Sequence, residues 1–230
     1  MDTIRLKFQY PRPSSKFFSE KLAKKEMTSE KLSGVRYCWT NNSWRKEQIA
    51  QGIYTPKYWI EEDYNDSRDT YFYFEASVPK LIFGENLSEL KQHHFAAVVE
   101  AIVGFCRKVG VSIFTSQIEN ARPTLVAIGR NISLTNICSA SLALKTLAPF
   151  DYKPHAAYRT IRFQDYKHGG HELYFNTVRT ETTKFYDKRL DILNRAETAQ
   201  EMRLAERIRQ NDLAFETLRM EGTFKTPRKI

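Results

Sequence analysis

Cysteine is scarce in this chain: Cys38, Cys106 and Cys138 are the three in 230 residues, odd in number and widely spaced. Such spacing yields no disulfide framework and no zinc motif. Cys106 falls on the apolar side of a helical pattern, as a core thiol in a reducing compartment does. No run reaches the roughly 18 apolar residues of a membrane span, and the opening Met1-Asp2-Thr3-Ile4-Arg5 lacks a signal-type apolar stretch. The expectation is a cytoplasmic protein without membrane contact. A Walker loop, a dinucleotide-binding glycine pattern and a paired metal motif are also missing, so the enzyme classes built on them fit poorly. No exact internal repeat is visible.

What is present is ordinary globular composition, 41% hydrophobic and 27% charged, with an excess of basic groups. The formal net charge is +9, and residues 1 to 60 hold 12 Lys/Arg against 5 Asp/Glu, which is +7 of it. An acidic partner is indicated, nucleic acid first and an anionic membrane surface second. Solvated surface lysines account for the same excess.

Ile4, Leu6, Phe8 and Tyr10 alternate with Arg5, Lys7 and Gln9, which predicts a half-buried strand ended by Pro11 and Pro13. Ser14 to Lys31 is basic and poorly periodic, a short helix or a loop. From Gly34 to Ile60, Tyr37, Trp39, Trp44, Tyr54, Tyr58 and Trp59 interleave with Arg36, Arg45, Lys46 and Lys57. Aromatic faces stack on bases while basic groups hold phosphates, so the mixture suits single-stranded DNA. Sheet aromatics explain it equally well. Glu61 to Asp69 reads as an acidic loop. Thr70 to Val78 alternates as a strand closed by Pro79. Ser88 is then the expected N-cap of a helix with the stripe Phe95, Val98, Val99, Ile102, Val103, Cys106 and Val109, and Gly110 suits its left-handed end.

Val111 to Phe114 predicts a short strand, and the chain divides naturally into residues 1–118 and 119–230. In the second part, Thr124 to Ile132 reads as a strand, Ser139 to Leu147 as a helix, and Tyr158 to Gln164 as a strand. A hairpin at Gly169-Gly170 leads to strands His171 to Val178 and Thr182 to Tyr186. A single helical pattern runs from Asp187 to Arg209. Ala214 to Phe224 alternates again, with Leu218, Met220 and Phe224 expected inside. The overall expectation is an α+β fold: an antiparallel sheet with helices on one face, built as two ferredoxin-like (split βαβ) halves. Tyr174, Lys184, Tyr186, Arg219 and Glu221 share the parity of the open face.

Three segments in order resemble the replication initiators of filamentous phages and the related rolling-circle initiators of plasmids and bacterial genomes. They are Phe74 to Asn86, with its Ser77-Val78-Pro79-Lys80 turn; Glu119-Asn120-Ala121-Arg122 leading to Arg130-Asn131-Ile132; and Lys184-Phe185-Tyr186-Asp187-Lys188 after a Gly170-His171-Glu172-Leu173-Tyr174 strand. The resemblance implies a nicking and joining enzyme, in which a tyrosine attacks a phosphodiester at a replication origin and forms a 5′-phosphotyrosine. It implies single-stranded or hairpin DNA as substrate, a divalent metal (Mg²⁺ or Mn²⁺) and a host helicase or polymerase as partner.

On this resemblance Tyr186 is the nucleophile and Tyr174 the reserve, with Lys184 and Lys188 placed to stabilise phenolate or phosphate charge. Glu221 resembles the family's carboxylate strand, and His171 is a second candidate metal ligand. Arg219 shares the face and joins Arg36, Arg45, Lys46 and Lys57 as candidate DNA contacts. The position aligned with a family metal ligand holds Ala127, which cannot ligate, so a non-catalytic DNA-binding homologue is the alternative.

Overall fold

The alternation at the amino end does form a strand, β1 (Thr3–Gln9), and it lies at the middle of a ten-stranded sheet. The computed structural model describes residues 2–9, 23–28, 35–63, 70–149, 158–177, 181–211 and 214–225. The expectations at Tyr10, Pro11 and Pro13, and most of Ser14 to Lys31, lie outside them. The other strands are β2 (Ala23–Thr28), β3 (Val35–Thr40), β4 (Lys57–Asp63), β5 (Thr70–Ser77), β6 (Arg122–Ser133), β7 (Tyr158–Asp165), β8 (His171–Thr177), β9 (Glu181–Asp187) and β10 (Thr217–Lys225). The helices are α1 (Asn42–Ala50), α2 (Val78–Phe83), α3 (Phe95–Lys108), α4 (Thr115–Glu119), α5 (Ala140–Leu147), α6 (Lys188–Arg195) and α7 (Ala199–Arg209).

Across the sheet the order is β2-β3-β4-β5-β1-β6-β10-β9-β8-β7, and each pairing is antiparallel. The α+β antiparallel class therefore holds. Outward from the β1–β6 seam, each half reads first, fifth, fourth, third, second strand, so the halves repeat one strand order without repeating sequence. A ferredoxin-like (split βαβ) unit is also antiparallel, but it has four strands and places its first strand between the third and the last. Because the last strand of each half lies between the first and the fourth, these are five-stranded antiparallel units rather than ferredoxin-like ones. The sequence division at 118/119 falls at the end of α4, just before β6.

The larger core lies in the first half. Leu6, Phe8, Tyr58, Ile60, Phe72 and Phe74 point from β1, β4 and β5 onto Val98, Val99, Ile102 and Cys106 of α3. Phe72 and Phe74 are fully buried, as strict alternation along β5 requires. Pro79 does close β5, by opening α2 at its first turn, and Gly84 (φ 74°) ends that helix. The main helix begins at Phe95 rather than beside Ser88, after a short 3₁₀ turn at Gln92–His94. Phe95 is 59% exposed and does not join the stripe. Glu61 to Asp63 continue β4, and Val111 to Phe114 form an irregular stretch that still buries Val111 and Ile113.

In the second half Leu144 of α5 packs on Leu173, Phe175 and Leu218, with Phe185 beside them. Helix α6 lies on the opposite face, where Asp191 accepts from Tyr166, which stacks on Tyr186, and Ala205 and Ile208 of α7 pack on Ile192 of α6. The single helix expected from Asp187 to Arg209 breaks at Ala196 to Thr198, where the Thr198 hydroxyl accepts from the Glu201 amide at 2.9 Å. The break lets α7 meet the first half, with Ala199 N–H donating to the Gly52 carbonyl at 2.8 Å. In β10 Leu218 is inside as expected, at 5% exposed, but Arg219, expected outside, is 2% exposed, and Phe224, expected inside, is 44% exposed. Among the described residues no helix is long and apolar enough to cross a membrane.

Candidate active site

Tyr186 is the penultimate residue of β9, and the last, Asp187, caps α6, accepting from the amides of Arg189 at 2.8 Å and Leu190 at 3.2 Å. The strand register then decides what surrounds the ring. Tyr186 pairs with Arg219 on β10 and Glu172 on β8, while Lys184 pairs with Glu221 and Tyr174. All six side chains lie on one face.

The Tyr186 hydroxyl donates to Glu221 Oε2 at 3.2 Å, and Lys184 Nζ meets Glu221 Oε1 at 3.1 Å. Arg219 approaches the same carboxylate at 4.0 Å, donates to Asn131 Oδ1 at 2.6 Å and forms a close ion pair with Asp2. The Tyr186 ring stacks on Tyr166 with centroids 4.5 Å apart, and Lys184 Nζ lies 5.1 Å from the Tyr186 ring centre. Tyr166 in turn donates to Asp191 Oδ1 at 3.2 Å, and the other oxygen of Asp191 accepts from Lys188 Nζ at 2.6 Å. One network thus runs from Lys184 through Glu221 and the two tyrosines to α6.

Burial, and then the Glu221 and Asp191 charges, push the Tyr186 phenol well above the ordinary tyrosine range, so it is neutral at rest. Burial alone would raise Glu221, but Lys184 and Arg219 outweigh it and hold the carboxyl below the usual range. Glu221 is therefore an ionised acceptor for the tyrosine proton. Arg219 is raised, since Tyr186 and Asp2 outweigh its own burial.

Tyr186, Lys184, Glu221 and Arg219 are thus brought together, with Tyr174 beside Lys184 in register. Other expected partners are not. Lys188 is 1% exposed and engaged by Asp191. His171 has the opposite parity on β8 from Glu172; its ring lies tilted against Phe163 with centroids 4.9 Å apart and meets Asp165 at 3.2 Å at the sheet edge, so it cannot share a metal with Glu221. Arg219 is buried and paired, which removes it as a DNA contact. Arg45 is used internally, donating to the Thr55 carbonyl at 2.9 Å and Glu197 at 3.2 Å. Lys46 is exposed on α1, and Lys57 is half-buried beside Trp59. Arg36 is on β3, its side chain outside the described residues.

The implied divalent metal does not fit this donor set. Glu221 already carries Lys184, Arg219 and the tyrosine hydroxyl, whereas hard divalent cations favour several unclaimed oxygens. Among the described residues no three His, Cys, Asp or Glu side chains form a metal-binding group. Sequence reasoning missed Tyr166, Asp191 and Asp2, which are remote in the chain and carry no periodic signal. Asn131 lay within the Arg130-Asn131-Ile132 segment, where the resemblance flagged the stretch but not the residue. No family model, curated protein or solved structure matches the chain.

Proposed function

We propose that the protein nicks and rejoins single-stranded origin DNA as a rolling-circle replication initiator, with Tyr186 as nucleophile. What supports the reading is the hydroxyl of Tyr186 held on the Glu221 carboxylate between two cations, Lys184 and Arg219. The phenolic proton passes to Glu221 as the oxygen attacks phosphorus. The tyrosyl O–P bond forms, the bond to the 3′ oxygen breaks, and that oxygen takes up the proton. Lys184 opposes the charge developing on phosphate. The freed 3′ hydroxyl would serve a host polymerase in the cytoplasm, aided by a helicase. The ring is 3% exposed, so reaction requires it to leave the Tyr166 stack.

That burial favours a second reading, a non-catalytic DNA-binding protein on the same scaffold. Incubation with labelled hairpin DNA, with Mn²⁺ and with chelator, separates the two. A covalent adduct abolished by Tyr186→Phe is the expected result. Loss only in Tyr174→Phe would move the nucleophile to Tyr174. Salt-sensitive binding without adduct under either condition would leave the second reading.

A further inference from the structure

The turn between β7 and β8, Tyr166 to Gly170, begins at the ring that stacks on Tyr186, and basic groups gather around it. Two backbone bonds close the turn: Tyr166 N–H donates to the Gly170 carbonyl and Gly169 N–H to the Tyr166 carbonyl, both at 2.9 Å. Gly169 (φ 98°) and Gly170 (φ 72°) supply the left-handed backbone it needs. It is seated on α6, where Asn194 Nδ2 donates to the His168 carbonyl at 2.7 Å and a Cβ added at Gly170 would come within 2.7 Å of the Leu190 side chain. That seating brings Lys167 and His168 into the company of Arg195, the last residue of α6, and Lys184 of β9.

His168 lies edge-on to Tyr166 with centroids 5.3 Å apart, and Lys184 Nζ is 5.8 Å from the centre of the same ring. Burial, and then the charges of Arg195 and Lys184, hold the Lys167 ammonium below its usual range although Asp191 and Glu221 attract it. Burial and Arg195 lower His168 as well, with Lys167 and Lys184 adding to them against Asp191, so it contributes no charge at neutral pH. The nearby carboxylates are already engaged: Asp191 by Lys188 at 2.6 Å and Tyr166 at 3.2 Å, and Glu221 by Lys184 at 3.1 Å. Lys167 is exposed and makes no ion pair among the described residues. Among the same residues, Arg195 has one ion pair, to Glu197 at 3.6 Å, and that carboxylate is shared with Lys80 at 2.9 Å and Arg45 at 3.2 Å.

We propose that Lys167 and Arg195 bind a phosphate of the DNA strand next to the one that Tyr186 attacks, leaving Lys184 to the attacked phosphate. A phosphodiester brings one negative charge and two unclaimed oxygens, enough to receive a guanidinium and an ammonium together and to relieve their mutual repulsion. Holding that neighbour fixes the register of the strand over the nucleophile without reading its bases. The choice of DNA, and of the phosphate beside the reacting one, rests on the nicking reading; binding of a strand here does not require the tyrosine to react.

The test is the fluorescence anisotropy of a labelled oligothymidylate of about ten nucleotides, titrated with the Tyr186→Phe protein so that no covalent step intervenes. Adding Lys167→Gln lowers the salt slope by about 0.7 and weakens binding roughly fivefold at about 0.1 M salt, the share of one single-strand phosphate contact. Lys167→Arg restores both. Lys108→Gln, which removes an exposed lysine of α3 in the other half, changes neither. Because Lys167 sits among like charges, Lys167→Gln unfolds at the same or a higher denaturant concentration than its parent, which loss of a structural lysine would not allow. An unchanged salt slope in Lys167→Gln, an equal loss in Lys108→Gln or a destabilised Lys167→Gln overturns the proposal. So does inorganic phosphate that competes as well as the unlabelled oligonucleotide at equal phosphate concentration, since the site would then take a free anion rather than a strand. Covalent adduct is read separately with Tyr186 in place: adduct without the Lys167 effect removes this subsite and leaves the nicking reading, and the Lys167 effect without adduct does the reverse.

Discussion

Tyr186 reaches Glu221 diagonally: its own register partner on β10 is Arg219, and Glu221 lies two residues further along, opposite Lys184. Diagonal neighbours on one sheet face are within reach of an aromatic side chain carrying a terminal hydroxyl. The result is a carboxylate with a phenol on one oxygen and an ammonium on the other.

Glu221→Gln removes the anion that Lys184 and Arg219 share. The amide still accepts from Tyr186, but the cations lose their charge partner. A loss of about 1–3 kcal/mol in unfolding free energy is expected, measured by denaturant titration. Tyr186→Phe should change stability less, because Glu221 keeps its cations. Equal stability of Glu221→Gln and the parent would mean that the ion pairs contribute nothing in solution.

Acid should destabilise the protein through Glu197. Burial alone would raise its carboxyl, but Lys80, Arg195 and Arg45 lower it from 4.5 to about 2. A depressed carboxyl stabilises the fold above its unfolded value, and that contribution is lost as pH falls from about 4.5 towards 2. Glu221 and Asp191, both also lowered, act in the same direction. Unfolding midpoints measured across this interval should fall steeply in the parent and less steeply in Glu197→Gln.

Gly129→Ala should be destabilising although its backbone is ordinary strand. A methyl group there would run into the Asp2 carboxylate and the Arg219 guanidinium. Displacing that pair is an overpacking defect of about 1–3 kcal/mol, read from chemical denaturation. Asp2→Ala combined with Gly129→Ala should recover part of the loss by making room, although it leaves Arg219 one partner fewer.

Local periodicity revealed most strands and the α3 stripe, because alternation along β1 and β5 directly encodes their burial. It could not reveal strand order, since nothing in either half's pattern says that the last strand lies beside the first. It also misplaced two residues of β10: Leu218 is inside as expected, but Phe224 is exposed, and Arg219 is buried in the network it shares with Glu221. Buried charge is invisible to a pattern that equates apolar with inside. The tyrosine, lysine and carboxylate of the candidate site were legible from shared parity, whereas Tyr166 and Asp191 came from other elements. The helix break at Ala196 to Thr198 was masked by strong helix formers on both sides.

Lys80 joins the two halves, and its removal tests how far they stabilise one another. It is 5% exposed on α2, and its ammonium meets Glu197 and Glu201 of the α6–α7 corner, each at 2.9 Å. Lys80→Met preserves most of the aliphatic stem but leaves two carboxylates facing each other, with Arg45 and Arg195 compensating Glu197 alone. Breaking a buried pair from one side destabilises by about 3–5 kcal/mol, because the surviving charge stays buried. Adding Glu201→Gln removes the uncompensated carboxylate, so the double variant should be more stable than Lys80→Met alone. Denaturant unfolding of the single and double variants measures both effects. A Lys80→Met protein as stable as the parent would show that water reaches this corner and that the halves are held by the β1–β6 seam.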